Sequence, residues 1–329
     1  MKSFKGGRRH QRGVALIIAL ILVALATVLA TKLSFDGFLE LRRTTGMMAA
    51  EQALHFGLGA EALAADVLMQ DAQMNPQYTT LAGPWAQATQ PLPITPDSNP
   101  EGEPIGSMQG SLEDMQGRFN LNNLARLGAD GVTEDPVPLQ QFQRLLASVG
   151  VEPKWAGLAR DWLDQDDVPG NPDGAEDTVY TSQTPPYRTG NWPMLSPSEL
   201  MNLPGFGADR YRKIAPYVTA LPSANTKINL CTAPALVLES LADGLSGEWS
   251  NSAVLTNGRK TGCFPDLQTF TNIAGPKAMI NAGNLVGTQS QYFQLTTQVA
   301  LGTTEFTLYS LLFRGTAKVA PLLRSFGTP

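Results

Sequence analysis

The N-terminal third of the chain is organised around one apolar run. Residues 14–31, VALIIALILVALATVLAT, form eighteen positions without a charged side chain, and Lys32 ends the run. At about 1.5 Å of rise per helical residue, this length is close to the thickness of a bilayer core. Apolar residues recur at helical spacing as far as about Asp71. The pattern predicts one long helix whose first part, residues 14–31, spans a membrane.

The C-terminal end shows a different pattern, in which apolar and polar residues alternate. The stretch QYFQLTTQVALGTTEFTLYSLLFRG alternates on both sides of Gly302, which predicts a β-hairpin. Near the middle of the chain, IGSMQGSLEDMQGRFNL predicts two short strands joined by a tight turn around Glu113 and Asp114. Residues 75–104 contain seven prolines, which favours an irregular connection.

Between these two hairpins lie residues 122–285, which are largely helical in pattern with proline and glycine punctuation. Examples are LQQFQRLLASVG, WAGLARDWLDQ and APALVLESLADG. A segment of this length is too long to be a loop within a compact domain. We therefore predict a helical domain inserted into the sheet. GRFNLNNL is echoed by TKINLCTAP, which hints at two related units.

Composition narrows the partners of such a chain. The net charge is −5, but five basic residues and no acidic ones lie within residues 1–13. The remainder holds 19 basic against 29 acidic residues, a net charge of −10. A protein that binds nucleic acid gains affinity from a positive surface, so nucleic acid is disfavoured as a partner.

The densest candidate for chemistry is DWLDQDDVPGNPDGAEDTVY, residues 161–180, which holds seven carboxylates and no basic residue. These charges repel one another unless a divalent cation balances them, and calcium takes six to eight oxygen ligands in flexible geometry. The spacing does not match an EF-hand. Counted from Asp164, the fifth and sixth positions are Val168 and Pro169, where an EF-hand has a ligand and a glycine. A solvated acidic loop without metal is the alternative.

The cysteines and histidines limit the other chemistry. Cys231 and Cys263 are the only cysteines, and an even pair in an oxidising compartment predicts a disulfide. The two histidines, His10 and His55, lie outside the inserted segment, which removes the usual general base and zinc ligand from it. Paired carboxylates could still hydrolyse glycosidic bonds, although no other feature supports that reaction.

One further motif, NLPGFGADRYRKI at residues 202–214, looks like a helix-hairpin-helix turn. Such a turn can bring backbone close to a DNA phosphate, or it can serve packing alone. Here the basic residues have acidic neighbours: Arg210, Arg212 and Lys213 lie near Glu199 and Asp209. We therefore interpret the turn as a packing element.

The N-terminus resembles that of the subunits of pilus-like fibres. QRGVALIIALILVALAT resembles the signal of pilins and pseudopilins, in which a prepilin peptidase cuts after a glycine on the cytoplasmic side. The resemblance implies that Gly13 ends the leader and that Val14 becomes the new N-terminus. Because basic flanks stay in the cytoplasm, the rest of the chain belongs in the periplasm, anchored in the inner membrane. A plain signal anchor is the alternative.

Two further features narrow the resemblance to the pseudopilin K family of type II secretion systems. Most pilins have glutamate as the fifth mature residue, whereas this chain has Ile18, as pseudopilin K does. The central strings D-W-L-D-x-D, P-P-Y-R and SPSELMNLPG are also similar to that family. The family implies an α+β, pilin-like fold, in which a long N-terminal helix packs on an antiparallel sheet and a large helical domain is inserted.

The resemblance also implies a role and a ligand set. It implies a subunit at the tip of the pseudopilus, bound to minor pseudopilins I and J, which helps to start the fibre and catalyses no reaction. Secreted exoproteins are candidate partners. It further implies calcium in the helical domain, and the expected ligands are five carboxylates: Asp164, Asp166, Asp167, Glu176 and Asp177.

The predicted organisation has five parts: leader 1–13, membrane segment 14–31, spine helix and first strands 32–121, inserted domain 122–285, and C-terminal strands 286–329. Two other functions stay open at this stage. One is a minor pilin of a type IV or DNA-uptake fibre, and the other is a membrane-anchored, calcium-dependent periplasmic hydrolase. DNA binding by the soluble part would favour the first, and turnover of glycans would favour the second.

Overall fold

The computed structural model describes residues 12–87, 89–96, 101–128, 130–241, 259, 262–264, 270 and 285–327. Helix α1 (Arg12–Met74) runs without interruption for 63 residues. Within these ranges it is the one helix that is long and apolar enough to cross a membrane. Its most apolar 18-residue window has a mean hydropathy of 2.9, and none of that window is buried. The predicted spine helix is therefore present, with an uncovered apolar first half.

Nine strands occur in the described ranges: β1 (Leu92–Ile94), β2 (Gly106–Asp114), β3 (Phe119–Asn120), β4 (Val218–Thr219), β5 (Ile228–Asn229), β6 (Val286–Gly287), β7 (Tyr292–Leu301), β8 (Thr304–Arg314) and β9 (Val319–Phe326). Five of them form an antiparallel sheet in the order β1-β2-β7-β8-β9. The remaining four make two short parallel pairs, β3 with β4 and β5 with β6. The main sheet thus combines segments from the two ends of the chain that follows α1.

The hairpin predicted around Gly302 is confirmed. β7 and β8 pair from Leu301 opposite Thr304, and Gly302 has a φ of 56°, a left-handed conformation that favours glycine. The other predicted hairpin is wrong. β2 is one uninterrupted strand that pairs with β7 along its whole length, and Asp114 ends it by accepting a hydrogen bond from the Gln116 backbone N–H (2.8 Å).

The second half of α1 packs on one face of this sheet. Its buried Leu68 lies in an apolar cluster with Phe293 and Leu312 from the strands. Glu61 is buried in the same contact and accepts hydrogen bonds from Arg324 Nε (2.9 Å) and Nη2 (2.7 Å). This two-point bond fixes the helix to the edge strand β9, and it lowers the pKa of the Glu61 carboxyl.

The described residues between β2 and β7 form a separate body with its own core. Five α-helices are described there: α2 (Pro136–Ser148), α3 (Trp155–Asp161), α4 (Asp177–Tyr180), α5 (Gly207–Ile214) and α6 (Ala235–Glu239). Phe119 stacks on Phe142 with ring centroids 5.2 Å apart, and Trp155 meets Phe206 edge-on at 5.3 Å. These rings belong to one large buried cluster. This body is the inserted, mainly helical domain that the sequence predicted, and we call it the head.

A buried polar network joins the head to the sheet. We call it the junction network, and its members are Asp71, Thr79, Asp114, Asn229, Thr232, Ser290 and Arg314. The Asp114 carboxylate accepts from Asn229 Nδ2 (2.9 Å) and Thr232 Oγ1 (2.6 Å) of the head, and from Ser290 Oγ (2.6 Å). Burial raises the pKa of Asp114, whereas these donors act to lower it.

The other half of the junction network centres on Arg314 at the end of β8. Its guanidinium donates to Asp71 Oδ2 (3.3 Å), Thr79 Oγ1 (2.6 Å) and the Ser290 carbonyl (2.8 Å). The side chains of Arg314 and Asp71 are almost fully buried, with exposures of 8% and 2%, respectively. A charge pair removed from water in this way holds its geometry only when hydrogen bonds satisfy it, as they do here. The C-terminal end of α1 is therefore locked to the root of the head.

The structure contains the predicted disulfide between Cys231 and Cys263, whose Cα atoms are 4.4 Å apart. It links two segments of the head that are 32 residues apart in sequence. Cys231 lies two residues after the end of β5, and its N–H donates to Asn229 Oδ1 (2.9 Å), so the bridge adjoins the junction network.

Candidate functional site: the acidic loop of the head

The acidic loop begins where α3 ends, at Asp161. This carboxylate is fully buried, and its Oδ2 accepts from the backbone N–H of Gly170 (2.8 Å) and of Ala175 (2.9 Å). A side chain at Gly174 would place a Cβ 2.2 Å from the same oxygen, so the close approach requires glycine there. Asp161 therefore folds the loop back on itself.

This folding brings three of the five predicted ligands together. Asp164, Asp166 and Glu176 each offer one carboxylate oxygen, and these oxygens lie within 4.8 Å of one another. The other two predicted ligands, Asp167 and Asp177, are not in this group. Asp167 Oδ1 accepts from Asn191 Nδ2 (3.3 Å), and Asp177 Oδ1 accepts from the Thr189 N–H (3.1 Å).

The negative charge of the three-carboxylate group is not fully compensated by the described residues. Burial, together with repulsion from neighbouring carboxylates, raises the pKa of Asp164 and of Glu176 to about 7. Several buried oxygens have no hydrogen-bond donor among the described residues: Asp161 Oδ1, Asp164 Oδ1 and both Glu176 oxygens. Buried carboxylate oxygens without donors are costly unless protons or a cation satisfy them. The residues present therefore fit a hard cation such as calcium, which prefers oxygen ligands.

The loop is supported from below by aromatic rings. Tyr180 is fully buried at the end of α4, and its ring lies 5.3 Å from that of Trp162 and 5.5 Å from that of Tyr187. Trp162 also donates through Nε1 to Glu199 Oε2 (3.3 Å). The acidic loop is therefore backed by a packed cluster of aromatic side chains.

Sequence reasoning missed two contributors to this site. Asp161 belongs to the acidic string, but its role in closing the loop depends on backbone N–H groups nine and fourteen residues away. Asn191 lies outside the string, yet its side chain donates to the Asp166 carbonyl and to Asp167. No spacing rule predicts either contact.

The helix-hairpin-helix-like turn is used for packing. Arg210 bonds Glu152 through Nε (3.0 Å) and Nη2 (3.2 Å), and its guanidinium lies over the Trp155 ring. Arg212 pairs with Asp209. Two of the three basic groups of the turn are thus neutralised by neighbouring carboxylates, which does not favour a DNA phosphate as partner.

Comparison with known proteins gives one consistent result. The family model described as type II secretion system protein K matches residues 117–223, which include the whole acidic loop. A relative from Aeromonas hydrophila, named type II secretion system protein K, is 32% identical over 96% of this chain and 97% of its own length. One of the same name from Pseudomonas aeruginosa is 33% identical over 97% and 94%.

The fold agrees with these relatives. A solved structure, the GspK-GspI-GspJ complex of the enterotoxigenic Escherichia coli type 2 secretion system, contains a chain that superposes with a TM-score of 0.75. That chain is 26% identical and is covered completely, and the match extends over 87% of the present chain. The protein thus belongs to the type II secretion system protein K family and is a minor pseudopilin with a pilin-like fold and an inserted helical domain.

Proposed function

We propose that this pseudopilin occupies the tip of the pseudopilus, where it binds minor pseudopilins I and J and starts assembly of the fibre. Its role in the export of folded proteins is mechanical rather than catalytic. The observation that carries the proposal is the head, which is inserted between β2 and β7 and has its own core. A body of this size clashes with neighbours in a closely spaced helical shaft, whereas the foremost position has room for it.

The spine helix supports the same position. Ile18 stands where most pilins carry a glutamate that neutralises the N-terminal ammonium of the preceding subunit. A subunit without that carboxylate leaves a charge unpaired in the membrane, which is costly. It is therefore a poor successor to another subunit but a suitable first one.

Partner binding is tested by mass. The exported part of this chain, from residue 33 onward, is mixed with the exported parts of minor pseudopilins I and J and analysed by size-exclusion chromatography with light scattering. We expect one species with 1:1:1 stoichiometry. Elution as three separate species would contradict the proposal, as would immunogold labelling of this chain along the whole fibre.

Processing is a second element of the proposal. Prepilin peptidase would remove residues 1–13, cutting between Gly13 and Val14, and leave the apolar helix in the inner membrane with the head in the periplasm. Intact-mass analysis of the membrane-extracted protein should give a chain that starts at Val14. Replacement Gly13→Val should leave the full-length mass. Any other N-terminus contradicts this assignment.

Calcium binding in the acidic loop is the third element. Asp164, Asp166 and Glu176 would hold the ion, because their oxygens already converge and several have no donor in the part of the chain that the structure describes. The cation would supply the positive charge that the loop lacks and so stabilise its fold. Calorimetric titration of calcium should show binding that Asp164→Asn abolishes. Asp173→Asn, in the same loop but outside the three-carboxylate group, is the matched control and should keep binding. Absence of binding to the unmodified protein would remove this element.

A further inference from the structure

The head presents two large apolar side chains to solvent next to the acidic loop. Trp192 is 67% exposed and Leu195 is 70% exposed. Both lie in residues 189–196, which we call the display loop. Single exposed apolar residues are ordinary, but an exposed tryptophan on a well-held loop is typical of a binding surface. The question is therefore how firmly the loop is held.

The centre of the display loop is anchored in the core. Met194 is buried between the two exposed residues, and its N–H donates to Asn122 Oδ1 (2.8 Å) while its carbonyl accepts from Asn122 Nδ2 (2.9 Å). One residue later, the Leu195 N–H donates to Glu199 Oε1 (2.7 Å). The buried, reciprocal bonds to Asn122 and the more exposed bond to Glu199 together fix the backbone at Met194 and Leu195.

The start of the display loop is held by the acidic loop. Asn191 adopts a left-handed conformation (φ 44°), which is uncommon for a residue other than glycine. Its side chain donates to the Asp166 carbonyl and to Asp167 Oδ1, both at 3.3 Å. Trp192 is therefore presented by a backbone that is already ordered. Binding of a partner therefore costs little conformational entropy in this loop, which favours a large contribution of Trp192 to the affinity.

The charge around the display loop restricts the partner. Residues 161–199 contain eight acidic residues and one basic residue, Arg188, a formal charge of −7. A single bound divalent cation would still leave −5. A second copy of this head, a nucleic acid and an anionic lipid surface are all repelled by such a field. A protein with lysine or arginine beside an apolar recess is attracted.

We propose that Trp192 and Leu195 dock into an apolar recess bordered by lysine or arginine on a protein that lies ahead of the pseudopilus tip. The proposal rests on the tip position proposed above, because only a foremost head leaves this surface open. The apolar pair supplies the contact that slows dissociation, and the acidic surroundings speed encounter and select the partner.

The test uses the full chain in cells with a working secretion system. Trp192 is replaced by the photoreactive amino acid p-benzoylphenylalanine, and the matched control carries the same group at Val132, which is 81% exposed on another loop of the head. We expect a light-dependent protein adduct at position 192 but not at 132. The cross-linked peptide should contain at least two lysines or arginines, and about 0.5 M salt should reduce the yield several-fold. No adduct, an acidic peptide, lipid, or a second copy of the chain at position 192 would each overturn the proposal.

A variant separates this inference from the tip assignment. The double substitution Trp192→Ser and Leu195→Ser should lower secretion about 10-fold or more, which is typical of losing a dominant contact. The 1:1:1 complex with minor pseudopilins I and J should persist, because the substitutions leave the sheet and α1 unchanged. Normal secretion by this variant contradicts the docking surface. Failure of the unsubstituted protein to form the complex contradicts the tip assignment instead.

Discussion

Asp114→Ala is the substitution that tests most directly how the head is joined to the sheet. The carboxylate is 5% exposed and accepts four hydrogen bonds, from Gln116 N, Asn229 Nδ2, Thr232 Oγ1 and Ser290 Oγ. Alanine removes all four acceptor positions from the centre of the junction network. The two hydroxyls can rotate towards other acceptors, but the Gln116 N–H cannot.

The magnitude follows from these contacts. Asn229 Nδ2 keeps two acceptors, the Thr79 carbonyl and Ser290 Oγ, both at 2.9 Å, so its loss is small. One unpaired, buried N–H costs about 1–3 kcal/mol, and each charge-assisted bond to a hydroxyl contributes about 1.5–3 kcal/mol. Removing the carboxylate offsets part of this loss, because the desolvation that costs several kcal/mol on burial of the charge is no longer required. We expect a net loss of about 3 kcal/mol, or roughly 10 °C in the melting temperature.

The assay is thermal unfolding of the detergent-solubilised chain, followed by circular dichroism. Asp130→Ala is the matched control, because Asp130 also accepts three local hydrogen bonds, from Val132 N, Thr133 N and Thr133 Oγ1, but is exposed. The control should shift the melting temperature far less, since water replaces its lost bonds. Equal shifts for both variants would refute the reasoning that burial makes the junction network important.

Two other perturbations have predictable outcomes. Replacement Glu61→Gln should destabilise the chain by about 1 kcal/mol at neutral pH. Because Arg324 lowers the pKa of Glu61, this difference should be constant above the ordinary carboxyl pKa and shrink as the pH falls through the lowered value; urea unfolding at a series of pH values measures it, and a difference that grows in acid would contradict the sign. Replacement Cys231→Ser should lower the free energy of unfolding by about 3–4 kcal/mol, because the disulfide with Cys263 closes a separation of 32 residues. A reductant should lower the free energy of unfolding of the unmodified protein to that of the variant, and it should leave the variant unchanged. An unmodified protein whose stability does not respond to the reductant would contradict the prediction.

The elements predictable from sequence are those with a regular local hydrophobic pattern. The apolar run of α1 has the length of a membrane span, and the alternation on both sides of Gly302 reflects one buried face of each strand, so their positions could be read directly. The hairpin expected near Glu113 failed for a corresponding reason. Acidic residues there resemble a turn, but Asp114 points into the junction network, where its partners Asn229 and Ser290 are 115 and 176 residues away in sequence.

The echo between GRFNLNNL and TKINLCTAP has a structural counterpart. Asn120 and Asn229 each end a two-residue strand of a parallel pair, and each accepts a hydrogen bond from the N–H two residues later, at 3.2 and 2.9 Å. A local turn motif of this kind leaves a signature in sequence. Its consequence does not, because each asparagine amide bonds to carbonyls far along the chain, such as Ser223 and Thr79.

The candidate metal site shows the same division. Composition predicted the acidic loop and left a bound cation and a metal-free loop as alternatives, but it could not distinguish Asp164, Asp166 and Glu176 from Asp167 and Asp177. The selection depends on how Asp161 folds the loop and on which carboxylates Asn191 and Thr189 engage instead. These are contacts between segments, which spacing alone does not encode.

The contact between Arg314 and the end of α1 has a mechanical consequence. Arg314 donates to the Leu68 carbonyl and to Asp71 in the last turns of the helix, while Ser290 and Asp114 carry the connection into the head. At the proposed tip position, thrust delivered along the spine would therefore pass into the head through a chain of buried polar contacts. A junction of this kind would transmit force with little bending between α1 and the head.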